Sequence, residues 1–157
     1  MKRSAIALGS NLGNSQEIVE GAIKKLDEFN QIQVLKVSSW HRTKAVTLSA
    51  ETQPDYINGC ATLLTSHTPH ELLAILLEVE IGFGRVRRAK WDARTLDLDL
   101  LLYDNYILNT TDLEIPHPRM CDRSFVMLPL AEIAPDWLHP VRGDRIDQIA
   151  RSVVNPI

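Results

Sequence analysis

Residues 94–103 read Arg-Thr-Leu-Asp-Leu-Asp-Leu-Leu-Leu-Tyr, and this stretch determines both the expected fold and the candidate site. Leucine recurs at every second position from Leu96 to Leu100, which is the period of a β-strand with one buried face. Asp97 and Asp99 then project from the opposite face, with Cα atoms about 7 Å apart. Asp is depleted in strands, so this pair indicates either a bound cation or a solvated face whose acids pair with lysines.

The patterns around this strand predict an α+β fold. Period-two patterns predict strands, and apolar residues at helical spacing predict helices. The predicted strands cover 4–8, 32–41, 56–65 and 96–103, and the predicted helices run from about 14 to 29 and from 68 to about 82. This βαββαβ order is typical of a ferredoxin-like antiparallel sheet with helices packed on it.

Local signals refine the helix starts and the C-terminal region. Asn14 with Glu17 and Thr68 with Glu71 both have the form of a capping box. Residues 43–54 lack periodicity and are interpreted as a long loop. The segment from Asp104 to Leu108 is expected to form a hairpin with the preceding strand. A Pro-rich C-terminal extension follows, with short helices near 122–128 and 144–153.

Composition limits the class of protein. The chain has 157 residues, 45% hydrophobic and 24% charged, which fits one globular catalytic domain over 1–157. Its net charge of −3 argues against a general nucleic-acid or membrane-surface binder. Cys60 and Cys121 are far apart and match no ligand spacing, so we expect reduced thiols in the cytoplasm. The longest apolar run, 72–77, is too short to span a bilayer, and we expect a monomer.

A cationic segment directly precedes the acidic strand. Residues 85–94 contain five cations and one acid, Asp92; the cations are Arg85, Arg87, Arg88, Lys90 and Arg94. The guanidinium fork matches phosphate oxygens, and Trp91 offers a ring face for stacking. An exposed loop with internal salt bridges is the alternative, but a metal-bound polyphosphate between the two charge clusters explains both at once. Oxygen ligands without histidine favour Mg²⁺ over zinc.

No Gly-x-x-x-x-Gly-Lys-Ser/Thr phosphate loop occurs in the sequence, so side chains and metal must hold the phosphates. Several motifs then resemble, in order along nearly the whole chain, the 6-hydroxymethyl-7,8-dihydropterin pyrophosphokinases of folate biosynthesis. They are Gly9-Ser10-Asn11-Leu12-Gly13, Arg42-Thr43, Pro54-Asp55-Tyr56-Ile57-Asn58, Gly84-Arg85-Val86-Arg87, Trp91, Arg94-Thr95-Leu96-Asp97-Leu98-Asp99 and Pro116-His117-Pro118-Arg119-Met120.

The resemblance implies transfer of the β,γ-pyrophosphate of ATP to the pterin hydroxymethyl group, with release of AMP. It assigns two Mg²⁺ ions to Asp97 and Asp99 and phosphate clamping to Arg85 and Arg94. It places the nucleotide near Glu80, Arg87, Lys90, Trp91, His117 and Arg123. It places the pterin between Tyr56 and Phe125, with its edge read by Asn58 and by the loop at Thr43 and Val46.

Two other functions remain open at this point. One is a non-catalytic relative that binds ATP or a pterin, which an assay would reveal as binding without AMP release. The other is an RNA-binding ferredoxin-like domain that uses the segment 85–94 and Trp91. That function predicts a steeply salt-dependent RNA affinity, but the acidic net charge and the lack of paired aromatics on the sheet argue against it.

Overall fold

The computed structural model describes residues 1–11, 14–43, 56–83 and 96–154. Its strands and helices follow the predicted order, with additional short strands. They are β1 (Lys2–Ser10), α1 (Ser15–Glu28), β2 (Ile32–Val37), β3 (His41–Thr43), β4 (Tyr56–Thr65), α2 (Pro69–Gly82), β5 (Asp97–Tyr103), β6 (Leu108–Asn109), β7 (Glu114–Ile115), α3 (Ser124–Ile133) and α4 (Ile146–Val154). Within these ranges, no helix combines the length and the apolar character needed to cross a membrane.

The main sheet has the strand order β2-β4-β1-β5, and all neighbouring strands are antiparallel. Strand β4 therefore lies between β1 and β2, and β1 lies between β4 and β5. This interleaving is the split βαβ arrangement of a ferredoxin-like fold, so the predicted fold class is confirmed. The short strand β3 pairs with the first three residues of β4, beyond the end of β2.

One face of the sheet is covered by α1 and α2. Ile6 and Leu8 of β1 pack in one core cluster with alternate residues of β5 and with the apolar faces of both helices. The apolar residues of α1, such as Ile18, Ala22 and Leu26, are buried, because they recur at the spacing that keeps side chains on one face. A fully buried Leu or Ile side chain contributes about 1.5–3 kcal/mol, so this cluster is a main source of stability.

Among the described elements, the C-terminal helices α3 and α4 cover part of the opposite face. Ala5 and Ala7 of β1 and Cys60 of β4 pack there against a second cluster that includes Met127 and Ile149. Small residues on the strands allow the helices to approach the sheet closely. Beyond this covered region, the same face of the sheet carries the polar residues of the candidate site.

Three local predictions require correction. The predicted strand 32–41 is broken at residues 38–40 into β2 and β3. The predicted hairpin after β5 is wrong: Tyr106 N–H donates to Tyr103 O at 3.0 Å in a turn, and β6 pairs with β7 instead. The ring of Tyr106 packs against that of Tyr103, with centroids 5.0 Å apart, which holds the turn in place.

The third correction concerns the helix starts. Thr68 forms the predicted capping box: its side chain accepts the N–H of Glu71, and the Glu71 carboxylate accepts the N–H of Thr68. Asn14 makes no side-chain cap, because its φ of −101° and ψ of 32° lie outside the extended region that capping requires.

Candidate active site

Strand β5 places Asp97 and Asp99 on the side of the sheet that faces α3. They lie opposite Gly9 and Ala7 of β1. Leu96, Leu98 and Leu100 are buried in the core on the other side, whereas both carboxylates are half-buried. The alternation read from the sequence is therefore confirmed, and the two acids share one face as predicted.

The start of β5 is fixed by Glu80, in the last turn of α2. Its Oε2 accepts the backbone N–H of Leu98 at 2.8 Å, and the residue is only 3% exposed. A buried carboxylate requires such donors, because an uncompensated buried charge is costly. Glu80 thus positions the strand that carries the two aspartates.

Aromatic and amide side chains lie beside the carboxylates. Tyr56 is the first residue of β4, and Phe125 is near the start of α3 with 39% of its surface exposed. The Arg123 guanidinium lies 5.6 Å from the centroid of the Phe125 ring, within cation–π range. Asn58 of β4 is nearly buried, and its Nδ2 donates to Thr43 Oγ1 at 3.0 Å, which fixes the amide in one orientation.

These residues line one pocket of about 690 Å³, within the range of small-molecule sites. The predicted site residues that the structure brings together here are Thr43, Tyr56, Asn58, Asp97, Asp99, Arg123 and Phe125. Of the described residues assigned to the site, Glu80 and His117 are not part of this lining. The remaining predicted site residues lie outside the described residues; they are Val46, Arg85, Arg87, Lys90, Trp91 and Arg94.

His117 lies beside the pocket, in the segment after β7. Its backbone N–H donates to Leu101 O at 2.9 Å, and its Nδ1 accepts the N–H of Arg119 at 3.2 Å. Burial lowers the pKa of His117; Asp99 opposes this shift and Arg123 adds to it. The neutral imidazole is therefore favoured at neutral pH. His117 is among the residues that line a neighbouring pocket of about 340 Å³.

The site suits a metal ion that takes only part of its ligands from the protein. Among the described residues, no group of three or more His, Cys, Asp and Glu side chains is placed to hold a metal ion. Two half-exposed carboxylates on alternate strand positions instead match Mg²⁺, which binds through one or two carboxylates together with substrate phosphates and water. The donor set therefore fits a magnesium–nucleotide complex.

Sequence comparison decides the family. The family model for 7,8-dihydro-6-hydroxymethylpterin-pyrophosphokinase matches residues 5–135. The chain belongs to this pyrophosphokinase family. A pyrophosphokinase of Synechocystis sp. is 47% identical over 150 residues, covering 96% of this chain and 75% of that relative. One of Haemophilus influenzae is 42% identical over 135 residues, covering 86% and 83%.

Solved structures agree on the fold. An HPPK-DHPS crystal structure in complex with substrates superposes with a TM-score of 0.76 at 14% identity, covering 98% of this chain. A triple mutant of Plasmodium falciparum HPPK-DHPS gives a TM-score of 0.77 at 13% identity. This chain spans 43% and 42% of those two chains, so it corresponds to part of their length.

Some residues in the pocket wall of this family member were not predicted from the sequence as site residues. A Cβ added at Gly9 would lie 3.0 Å from Asn58 Oδ1, so the missing side chain allows the amide to approach β1. Gly59, Ser124 and Val126 also line the pocket. The Gly9-Ser10-Asn11 motif was the available signal for Gly9, and the others lack a distinctive local pattern.

Proposed function

We propose that this protein transfers a pyrophosphoryl group from ATP to the hydroxymethyl group of 6-hydroxymethyl-7,8-dihydropterin, releasing AMP, as a step of folate biosynthesis. The observation that carries the proposal is one pocket, in a member of this family, that combines two strand carboxylates with an aromatic pair and an oriented amide. We also expect a monomer in the cytoplasm, where the unpaired thiols of Cys60 and Cys121 would stay reduced.

The carboxylates are proposed to hold the metal. Asp97 and Asp99 would bind two Mg²⁺ ions, whose remaining ligands would be phosphate oxygens and water. When bound, magnesium would supply charge neutralisation on the triphosphate. The half-burial of both carboxylates supports this role, because they can be reached from the pocket while β5 keeps them in place.

The pterin is proposed to stack between Tyr56 and Phe125. A flat heterocycle gains from offset stacking on both faces, and Arg123 lies over the Phe125 ring in cation–π contact. Because Asn58 Nδ2 is bonded to Thr43, the amide is fixed and its Oδ1 is set as an acceptor for a pterin N–H. The backbone at Val46 is assigned to the same edge by the family resemblance.

The cationic residues are proposed to bind the triphosphate and close over it. Arg85 and Arg94 would clamp phosphates, Arg87, Lys90 and Trp91 would close over ATP, and Glu80, His117 and Arg123 would border the nucleotide. Catalysis would depend on aligning the pterin hydroxyl with the β-phosphorus and stabilising developing charge. Closure would also exclude water, which would otherwise compete as the acceptor.

The test is AMP formation from Mg-ATP and the pterin substrate. We expect AMP and pterin diphosphate in equal amounts, a severe loss of kcat in Asp97→Asn, and mainly a raised pterin KM in Tyr56→Ala. Asp136→Asn, at an exposed position, is the control for loss of one carboxylate. Absence of AMP with the folded wild-type protein, or full turnover by Asp97→Asn, would refute the proposal.

A further inference from the structure

The carboxylate of Glu132 gathers donors from a segment 91–93 residues earlier in the chain. Glu132 lies in the last turn of α3. Its Oε1 accepts the backbone N–H and the hydroxyl of Ser39, both at 2.8 Å, and its Oε2 contacts the hydroxyl at 3.0 Å. His41 Nε2 also contacts Oε2. Three donor groups thus converge on one side chain.

The groups around Glu132 keep its carboxylate ionised. Partial burial alone would raise the pKa of Glu132, but the hydrogen bonds from Ser39 and His41 outweigh burial and lower it. The carboxylate is therefore ionised at neutral pH, and its side chain keeps 35% of its surface exposed. Hydrogen bonds to an ionised acceptor are the stronger class, although solvent exposure reduces their contribution.

This arrangement is not a hydrolytic triad. His41 Nε2 lies 3.3 Å from Ser39 Oγ, and the same nitrogen contacts Glu132. In a triad the imidazole uses one nitrogen for the nucleophile and the other for the acid. Ser39 Oγ itself donates to the carboxylate. The cluster therefore has the geometry of a structural tie between two elements.

One side of the tie is the connection that leads into the pocket. Ser38 N–H donates to Cys60 O at 2.9 Å, and Ser38 Oγ accepts the Cys60 N–H at 2.9 Å, so β4 fixes the point where β2 ends. Ser39 is then held by Glu132, and His41 begins β3. Strand β3 ends at Thr43, which lines the pocket and accepts the Asn58 amide.

The other side of the tie is the helix that carries the stacking aromatic. Phe125 and Glu132 lie about two turns apart on α3. Near Phe125, the Cys60 thiol donates to Val126 O at 3.4 Å, which anchors that end of the helix on β4. Glu132 anchors the other end to the root of β3. The spacing between the α3 wall and the β3 wall of the pocket is therefore set at both ends of the helix.

We infer that Glu132 is a positioning residue for pterin binding, which acts through Ser39 and His41 to hold the Thr43 edge of the pocket opposite Phe125. The inference rests on the proposed function. The hydrogen bonds of the tie join Glu132 to Ser39 and His41, which are not among the residues assigned to the nucleotide. Loss of the tie should therefore raise the KM for the pterin and leave the KM for ATP nearly unchanged.

The experiment measures KM for each substrate, kcat and thermal unfolding in the full-length protein. Glu132→Gln keeps an acceptor for the Ser39 N–H but loses the charge, and we expect a rise of about tenfold in pterin KM, in line with the loss of a charged hydrogen bond. The ATP KM should stay within about twofold. Ser39→Ala should raise pterin KM by about threefold, and adding it to Glu132→Gln should have little further effect.

Asp147→Asn is the matched control. Asp147 of α4 pairs with Arg145, which precedes the helix; its exposure is similar to that of Glu132, and it lies outside the pocket lining. It should leave both KM values unchanged. A purely structural role for Glu132 would lower the active fraction and the melting temperature while leaving both KM values alone. That result, or a parallel rise in both KM values, would overturn the inference. A wild-type protein that forms no AMP would instead refute the proposed function.

Discussion

Gly59 offers a strict test of how the sheet is packed beneath the pocket. A Cβ at this position would lie 2.4 and 2.5 Å from the ring atoms Cε3 and Cζ3 of Trp40, and 3.0 Å from Ser38 Oγ. Carbon atoms prefer separations of about 3.5–4.0 Å, so in Gly59→Ala the indole would have to retreat by roughly 1 Å. Trp40 packs against the main core and directly precedes β3, so that movement is resisted.

Overpacking of this kind costs about 1–3 kcal/mol. For a protein of this size, about 2 kcal/mol corresponds to a fall in Tm of roughly 4–8 °C. The assay is urea and thermal unfolding of the wild type and Gly59→Ala. Pterin KM should also rise, because displacement of Trp40 shifts the root of β3.

Gly82→Ala is the matched control, since a Cβ at Gly82 meets nothing within 4 Å and Ala favours the helix by up to about 1 kcal/mol. Trp40→Leu combined with Gly59→Ala should lose less than the sum of the two single changes, because the smaller side chain relieves the overlap. A Gly59→Ala protein within about 0.5 kcal/mol of the wild type, a change too small to count as overpacking, would refute this packing argument.

Two further predictions concern stability. Thr68→Ala should lower the free energy of unfolding in urea by about 1 kcal/mol, because it removes the acceptor of the Glu71 N–H. Asn14→Ala should lower it by less, since Asn14 makes no cap. Equal losses would contradict the structure. Burial, aided by Arg142, lowers the pKa of His139. As the pH falls, the unfolded chain therefore takes up this proton before the folded protein does. Stability is lost as the pH falls from the unfolded pKa of about 6.5 through the lowered folded pKa. Unfolding measured from pH 8 to 5 should show this slope reduced in His139→Asn, by at most about 1.4 kcal/mol per pH unit for one proton; an unchanged slope would contradict it.

The sequence was sufficient where one local pattern controls the structure. The alternation from Leu96 to Leu100 determines both the strand and the shared face of Asp97 and Asp99, because the period of a strand fixes the direction of its side chains. The prediction of the capping box at Thr68 is confirmed, because Pro69 at the first helical position also restricts the backbone there.

The sequence was insufficient where tertiary contacts decide. The break between β2 and β3 arises because Ser38 and Ser39 bond to Cys60 and Glu132, which are remote in sequence. The predicted hairpin after β5 is wrong because β6 pairs with β7 rather than with β5. Glu132 itself carries no local signal, since its donors lie 91 and 93 residues away.

The central claim is that the β5 carboxylates and the Tyr56–Phe125 pair belong to one site for both substrates. A crystal structure with Mg²⁺, a non-hydrolysable ATP analogue and 6-hydroxymethylpterin tests it most directly. The account predicts metal ions against Asp97 and Asp99, and the pterin ring between the two aromatic side chains. Metal ions held elsewhere, or a pterin bound away from both rings, would contradict it.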